Sequence, residues 1–114
     1  MSPALKEEAA VAEGKITRGA VLEELRNVMD PELALNIVDL GLVYKVEVTD
    51  EKVEVDFTLT YPGCPAGEHI QQDIKTNVRN FTGMENVAIN LVWDPPWRPD
   101  LMTEEARVSL GYPI

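Results

Sequence analysis

The chain has 114 residues, a length that fits one domain with its own core. Its 20 acidic and 10 basic residues give a formal net charge of −10, which argues against a nucleic-acid binder because such proteins need a basic surface to displace counterions. The apolar runs fall far short of the roughly 18 residues of a membrane helix, the first residues lack the apolar block of a secretion signal, and a single cysteine forms no internal disulfide. We therefore expect a cytoplasmic protein that binds neither nucleic acid nor a membrane.

The N-terminal part divides into a tail and a first helix. Residues 1–15 show no sustained apolar stripe and are predicted to form a flexible tail, followed by one domain at residues 16–114. Thr17 is the predicted N-cap of the helix, and Pro31 is expected to stop it because the residue before a proline avoids helical angles. The apolar face of this helix is formed by Val21, Leu25 and Val28.

A turn and a β-hairpin come next. The segment Asp30-Pro31-Glu32-Leu33 is predicted to form a short turn, with Asp30 as its cap. Residues 43–48 read as a strand, and residues 53–59 alternate strictly between apolar and polar side chains, as a half-buried strand does. The polar residues 49–52 between them are few, so the two strands are predicted to pair antiparallel.

The second half of the chain is predicted as helix, strand, loop and helix. A narrow apolar stripe between Ile70 and Phe81 indicates a helix that stops at Gly83. Residues 87–91 alternate again and indicate a third strand, which runs on to Trp93. The proline-rich residues 94–102 are predicted to be an extended loop without regular pairing, and Thr103 caps a last helix that ends at Gly111.

The order helix, strand, strand, helix, strand, helix predicts the fold class. A strand–helix–strand unit makes its two strands parallel, whereas the hairpin is antiparallel, so the sheet should be mixed. We expect a two-layer α/β sandwich with a small three-stranded mixed sheet and its helices on one face.

The loop "YPGCPAG" contains the only cysteine, Cys64, between Gly63 and Pro65. Cys64 falls where the second strand gives way to the second helix, so we expect it at or next to the helix cap, with Pro65 as the first helical residue. The free N–H groups of the first turn and the helix dipole would then lower the thiol pKa below about 8.5. The alternative is that Cys64 is a small buried hydrophobic residue, as lone intracellular cysteines often are.

Other side chains were weighed as partners of this thiol. His69 is the only histidine, but five helical residues separate it from Cys64 by roughly 140° of net rotation, so a Cys–His dyad is not expected. Asp30, Glu32 and Asp39 lie in loop-like stretches that could converge on Cys64, although Asp30 is also explained as a turn cap. Asp39 lies in an apolar stretch, where an acid needs a partner or a purpose.

Two tryptophans flank the segment Asp94-Pro95-Pro96. Trp93 and Trp97 could form an exposed aromatic platform for a partner protein. The more usual alternative is that they fix the proline loop to the core.

Four segments in matching order resemble the SufT/PaaD-like family of iron–sulfur cluster assembly factors. They are "VMDPEL" at 28–33, "NIVDLGLVYKVEV" at 36–48, "VDFTLTYPGCPAG" at 55–67 and "VWDPPWRPDLMTEEARVSLG" at 92–111. The resemblance implies a small α/β domain that is not an enzyme and whose functional thiol is Cys64. The residues that match the family's acidic positions and its strand-end and loop frame are Asp30, Glu32, Asp39, Thr58, Thr60, Gly63 and Pro65.

The resemblance implies an accessory factor in the assembly or maturation of iron–sulfur proteins. Cys64 would be a transient ligand of iron or of an iron–sulfur cluster, or a thiol contact, with no cofactor bound stably. One thiolate cannot complete a four-ligand cluster site, so ligands would be shared with a second copy in a homodimer, a client apoprotein or a small thiol. The expected partners are iron–sulfur assembly proteins and client apoproteins.

Three other functions remain open. The chain could be an adaptor without metal that docks client apoproteins onto assembly machinery, with Trp97 as the partner platform. A PaaD-type role in assembling an aromatic-ring oxygenase is less favoured, because those relatives carry extra C-terminal cysteines and this sequence has none. A cysteine-dependent enzyme acting on a small molecule is the weakest alternative.

Overall fold

The computed structural model describes residues 16–112, so the tail predicted at residues 1–15 lies outside the described residues. Its helices and strands confirm the predicted α/β class and add one small sheet. The helices are α1 (Arg18–Glu24), α2 (Gly67–Thr82) and α3 (Glu104–Leu110), with single 3-10 turns at Leu25–Asn27 and Pro99–Leu101. The strands are β1 (Met29–Asp30), β2 (Leu35–Asn36), β3 (Val43–Val48), β4 (Val53–Phe57) and β5 (Val87–Leu91).

The main sheet has the strand order β3-β4-β5. Strands β3 and β4 pair antiparallel, and β4 and β5 pair parallel, so the predicted hairpin and the predicted mixed sheet are both confirmed. The hairpin closes through Thr49, whose backbone N–H donates to the carbonyl of Lys52 at 2.8 Å and whose hydroxyl accepts from the N–H of Lys52 at 3.1 Å. A Thr side chain that bonds locally in this way stabilises a turn.

The core lies between the sheet and helices α1 and α2. Along β4, Val53, Val55 and Phe57 are fully buried, whereas Glu54 and Asp56 are half-buried on the opposite, polar face. Burying each of these large apolar side chains contributes about 1.5–3 kcal/mol, which makes this face the main source of stability. The helical side of the core consists of Val21, Leu25, Ile70, Ile74 and Val78.

The first helix is shorter than predicted. The Thr17 hydroxyl caps it as expected, accepting from the N–H of Ala20 at 3.1 Å. The helix nevertheless ends at Glu24, and a 3-10 turn leads into extended chain at Val28, well before Pro31. Val28 is still fully buried, and its carbonyl accepts from the N–H of Ile37 at 3.0 Å. Pairing with a distant segment therefore overrides the helical period while the same apolar side chains stay in the core.

Strands β1 and β2 form a two-stranded sheet that the sequence did not indicate. Asp30 pairs with Leu35 and Met29 with Asn36, in antiparallel register. Ala34 closes the turn between them in a left-handed conformation with φ at 57°. Two-residue strands are too short to show an alternating pattern, which explains why they were missed.

The proline-rich segment leads into the last helix and is tied to the rest of the domain at its end. It is irregular as predicted, except for the 3-10 turn at Pro99–Leu101. Helix α3 then begins after Thr103, whose hydroxyl accepts from the N–H of Ala106 at 3.2 Å, and ends at Gly111 as expected. The backbone N–H of Thr103 donates to the carbonyl of Asp39 at 2.9 Å, which ties this segment to the turn after β2.

Within residues 16–112, the structure contains no helix of sufficient length and apolar character to cross a membrane.

Candidate functional site

Cys64 lies in the loop between β4 and α2, at the carboxyl end of the sheet's parallel strands. Its N–H donates to the carbonyl of Tyr61 at 3.3 Å, and its own carbonyl accepts from the N–H of Gly67 at 3.1 Å. Helix α2 starts at Gly67 with Ala66 as N-cap. Cys64 therefore precedes the cap by two residues, and the predicted placement of Pro65 as the first helical residue is wrong.

The thiol is buried, which agrees with the alternative that Cys64 is a small buried hydrophobic residue. Cys64 is 8% exposed and packs with the hydrophobic core, while Pro62, Gly63 and Pro65 around it are exposed. Gly63 takes φ of 83°, a conformation that L side chains rarely adopt. The loop thus turns its prolines outward and its sulfur inward.

The nearest side-chain partner of the thiol is Glu32. The Cys64 Sγ donates to Glu32 Oε1 at 3.1 Å, although the two residues are 32 positions apart. The Tyr61 hydroxyl donates to the same oxygen at 3.5 Å. Glu32 itself is exposed, so one carboxylate links the buried sulfur to solvent.

These surroundings raise the pKa of the Cys64 thiol above its ordinary value. Burial is the main cause, and the Glu32 carboxylate adds to it as hydrogen-bond acceptor and as a negative charge, with a smaller contribution from Asp30. A hydrogen bond from the backbone of Ala66 acts in the opposite direction but does not prevail. The prediction that the helix dipole lowers the thiol pKa is therefore wrong, because the thiol is buried, lies before the helix start and is next to an acid. Desolvation raises the pKa of Tyr61, and the neighbouring Glu32 and Cys64 raise it further.

Asp30 is a turn cap, as one of the two predictions for it stated. It is 2% exposed, and its Oδ1 accepts from the N–H of Glu32 at 2.8 Å and from that of Leu33 at 3.2 Å. Since these bonds fix the backbone of Glu32, Asp30 orients the carboxylate that meets Cys64.

Asp39 is engaged away from the thiol. Its carboxylate accepts from Arg26 Nη1 at 2.6 Å and from Asn36 Nδ2 at 2.9 Å. Asp39 thus has the partner that its apolar surroundings require. Of the three acidic residues, Glu32 contacts Cys64 and Asp30 lies near it, whereas Asp39 joins Arg26 to the turn after β2.

Thr58 follows β4 directly and is fully buried. Its backbone N–H donates to the carbonyl of Leu42 at 2.8 Å, which extends the β3–β4 pairing by one residue. Its hydroxyl oxygen has no hydrogen-bond partner among residues 16–112. Thr60, two residues further on, is half-buried. An orphaned buried hydroxyl is unusual and distinguishes Thr58 from the other residues of the loop frame.

The two tryptophans have different surroundings. Trp97 is half-buried against the core, and its Nε1–H donates to the carbonyl of Leu40 at 2.7 Å. It fixes the proline loop, which is the alternative that the sequence favoured; a contact with a partner protein stays a prediction. Trp93 is 43% exposed and is the more accessible of the two.

The remaining candidate ligand does not approach the thiol. His69 is exposed on α2, and its Nε2 lies 3.1 Å from Asp73 Oδ2. In the described part of the chain, no group of three or more His, Cys, Asp or Glu side chains could hold a metal ion.

Tyr61 was missed by the sequence interpretation. The signal was an aromatic hydroxyl three residues before the cysteine in the same loop. This signal alone could not identify Tyr61 as a site residue, because its partner Glu32 lies in a turn that is distant in the sequence.

Comparison with known proteins gives consistent results. Residues 18–91 match the family described as iron–sulfur cluster assembly protein. The chain is 48% identical over 85 residues to the Fe-S protein maturation auxiliary factor SufT of Staphylococcus aureus, covering 74% of this chain and 97% of that protein. It is 42% identical over 97 residues to the Fe-S protein maturation auxiliary factor of Porphyromonas gingivalis, covering 84% of this chain and 92% of that one. A solved structure of a domain of unknown function, DUF59, from Bacillus anthracis superposes with a TM-score of 0.79 at 33% identity, covering 95% of this chain and 97% of that one.

Proposed function

The chain belongs to the iron–sulfur cluster assembly protein family, and on this premise we propose that Cys64 is its functional thiol. The protein is an accessory factor in the maturation of iron–sulfur proteins, like the auxiliary factors it resembles. In this role Cys64 is a transient ligand of iron or of a cluster that passes to a client apoprotein. The observation that supports the proposal best is the 3.1 Å hydrogen bond from the Cys64 thiol to Glu32.

This hydrogen bond provides an acceptor for the proton that the Cys64 thiol must lose before it can bind iron. A thiolate, not a thiol, is the metal ligand, so the S–H bond must break when an S–Fe bond forms. The Glu32 carboxylate is the nearest acceptor for the proton, and because Glu32 is exposed it can pass the proton to water. On release of the iron the thiolate takes up a proton again. The raised pKa of the thiol favours this protonated resting form, which suits temporary binding over permanent binding.

Ligation by this chain has to be shared. A 2Fe–2S or 4Fe–4S cluster is held by four thiolate ligands in total, and Cys64 is the only cysteine in the sequence. No further group of ligand side chains surrounds it within residues 16–112. The remaining ligands would come from a second copy, from the client or from a small thiol, in a compartment such as the cytoplasm that keeps Cys64 reduced.

Anaerobic reconstitution with iron and sulfide tests this proposal. Wild type, Cys64→Ser and the control His69→Ala are compared by visible absorption and native mass spectrometry. A cluster band that needs Cys64 but not His69, with a mass of two chains, supports a carrier with shared ligation. No band in any of the three folded proteins refutes the carrier function.

A second candidate, an adaptor that binds no metal, is favoured by the burial of the thiol. Cys64 is 8% exposed and its pKa is raised, as in a structural cysteine. If the protein is an adaptor, the Cys64→Ser variant should support the maturation of client proteins as well as the wild type does. A carrier would lose this activity while keeping its fold, which circular dichroism checks.

A further inference from the structure

Strand β5 forms one edge of the main sheet, because the strand order is β3-β4-β5. The N–H of Val92 donates to the carbonyl of Phe57 at 2.8 Å. At the other end of the strand, the carbonyl of Asn86 accepts from the N–H of Val53 at 3.1 Å. Successive residues of a strand direct their backbone groups to opposite sides. The even-numbered residues of β5 therefore face β4, and the odd-numbered residues face outward.

The outward-facing residues of β5 are Val87, Ile89 and Leu91. Within residues 16–112, the N–H of Val87 donates to the carbonyl of Glu85 at 3.0 Å, whereas the outward backbone groups of Ile89 and Leu91 have no hydrogen-bond partner. A sheet edge with free N–H and C=O groups is a template for pairing with another strand.

The opposite edge of the sheet is protected against such pairing. Strand β3 carries Lys45 and Glu47, and its register with β4 shifts between Val43 and Lys45. Charged side chains and register shifts of this kind keep further strands from an edge. Strand β5 has the sequence VAINL, without a charged residue, glycine or proline, and its register with β4 is unbroken. Of the two edges, that of β5 is therefore open to another strand.

We propose that β5 pairs antiparallel with β5 of a second copy of this chain, which joins the two three-stranded sheets into one. With the two-fold axis at Ile89, the two Ile89 residues lie opposite each other, and Leu91 of each copy lies opposite Val87 of the other. Opposite residues with facing backbone groups exchange N–H···O=C bonds in an antiparallel pair. The N–H and C=O of Ile89 and the N–H of Leu91 then gain the partners that they lack in one copy.

The side chains of the two β5 strands match one another in this register. Val87, Ile89 and Leu91 are each paired with a buried residue of β4, so all three point to the same face of the sheet. Leu91, which is 39% exposed, lies beside Val87 of the second copy on that face. Aliphatic cross-strand neighbours of this kind stabilise a strand pair.

The charge distribution fits a second copy at this edge. Each copy has a net charge of −10, so most of its surface repels another copy. Residues 86–93 contain no charged side chain, and the neighbouring acids Glu85 and Asp94 lie outside the paired strands. A charged partner finds no opposite charge in β5, whereas β5 is complementary to itself. Two strands of this length cover less than the about 1,200 Å² of a stable interface, so we expect a weak dimer.

This dimer keeps the two thiols apart. Each Cys64 loop lies at the carboxyl end of β4 and β5. Antiparallel pairing of the β5 strands places these carboxyl ends at opposite ends of the joined sheet. The two Cys64 residues therefore do not share one iron ion, and the dimer forms without iron.

Sedimentation velocity of the iron-free protein tests the proposal. We expect a dimer fraction that rises with protein concentration, and that rises again when NaCl is increased from about 0.02 M to about 0.2 M, because salt screens the repulsion between the copies. Leu91→Glu places a charge in the paired strands and should weaken dimerisation at least about tenfold. Val108→Glu adds the same charge at a site that is 55% exposed on α3 and should dimerise almost as wild type does. Circular dichroism checks that both variants are folded.

Amide hydrogen exchange followed by NMR gives a second readout that needs no variant. The N–H groups of Ala88 and Asn90 face β4 and should be protected at every protein concentration. Those of Ile89 and Leu91 should be protected only at concentrations where the dimer forms.

A protein that stays monomeric at high concentration in about 0.2 M NaCl overturns the proposal. A dimer that Leu91→Glu and Val108→Glu weaken equally does so too. If the protein stays monomeric and the Ile89 and Leu91 amides become protected only when a peptide of alternating Val and Thr is added, the proposal is also wrong, because the edge then accepts a strand of another protein.

This proposal and the proposed function fail separately. Cys64→Ser should lose the cluster band but keep the iron-free dimer, and Leu91→Glu should keep the cluster band but lose the iron-free dimer. A mass of two chains that appears only after iron and sulfide are added, and only when Cys64 is present, would support ligation and overturn pairing through β5.

Discussion

At the scale of single residues, opposing influences act on the Cys64 thiol. The backbone of Ala66 favours the thiolate, whereas burial and the charges of Glu32 and Asp30 favour the thiol. Burial prevails, because removing a charge from water costs more than one backbone hydrogen bond returns. The result is a thiol that keeps its proton next to a carboxylate that can accept it.

The pH dependence of Cys64 alkylation follows from this balance. Since the pKa is raised, iodoacetamide should react slowly at neutral pH and faster as the pH rises through the thiol pKa. Glu32→Gln removes the neighbouring charge, lowers the pKa and should speed alkylation several-fold at pH 7. Mass spectrometry of quenched samples measures the rates.

Glu68→Gln is the control for this experiment, because Glu68 is an exposed acid at the start of α2. Its alkylation profile should follow that of the wild type. An unchanged profile in Glu32→Gln would contradict the assigned role of Glu32.

The buried hydroxyl of Thr58 allows a prediction about stability. Because Thr58 is fully buried and its hydroxyl has no partner within residues 16–112, Thr58→Val should raise the free energy of unfolding by about 1 kcal/mol. The same change at Thr103 removes an N-cap and should lower it by about 1 kcal/mol. Urea denaturation followed by circular dichroism compares the two. A loss of stability in Thr58→Val would mean that the hydroxyl has a partner, such as water, in solution.

At the scale of secondary structure elements, the position of the Cys64 loop depends on close contacts between segments. Leu59 lies against the first turn of α2, where a Cβ on Gly67 would stand 2.8 Å from its Cδ1. Gly41 makes a similar close approach, to the 3-10 turn that precedes α3. Glycine at both positions lets elements pack closer than a side chain would allow.

Gly41→Ala should therefore be strongly destabilising. Gly41 has φ of +75°, and an added Cβ would collide with the backbone carbonyl of Leu101. We expect a loss of more than about 2 kcal/mol, since backbone strain and overpacking add. The measurement is the urea midpoint.

Gly83→Ala is the matched control for Gly41→Ala. Gly83 has φ of +73°, but nothing lies within 4 Å of its added Cβ, so only the strain of about 1 kcal/mol applies. Equal losses at both positions would show that the contact with Leu101 does not restrict Gly41.

At the scale of the whole molecule, negative charge dominates. The net charge is −10, and on the polar face of the sheet Lys45 lies within 4 Å of three carboxylates: Glu47 at 3.7 Å, Glu54 at 3.5 Å and Asp56 at 3.9 Å. These pairs are partly exposed, so each is worth little, whereas repulsion among the acids acts across the whole surface.

Stability should therefore increase with salt. Raising the NaCl concentration from low to about 0.2 M shortens the Debye length to below about 10 Å and screens this repulsion. The urea midpoint of wild type should rise. Lys45→Gln removes one of the few cations and should show a larger rise. A midpoint that falls with salt would show that the ion pairs outweigh the repulsion.

Much of the fold was determined by the sequence alone, because it depends on local patterns. The strict alternation from Val53 to Phe57, the apolar stripe of α2, and the caps Thr17, Thr103 and Gly83 are properties of adjacent residues. These patterns predicted the mixed sheet and most element boundaries.

Only the tertiary structure decided the early end of α1 and the nature of the candidate site. Val28 is extended because it pairs with Ile37. The Cys64 thiol keeps its proton because packing buries it in the core and because Glu32, 32 residues away, adds a hydrogen bond and a negative charge. The Asp39 carboxylate pairs with Arg26, and this contact too depends on which segments packing brings together. The hydrophobic periodicity of the sequence indicates which side chains are buried. The pKa of a group and its hydrogen-bond partner depend instead on which distant segments come into contact, and tertiary packing determines those contacts.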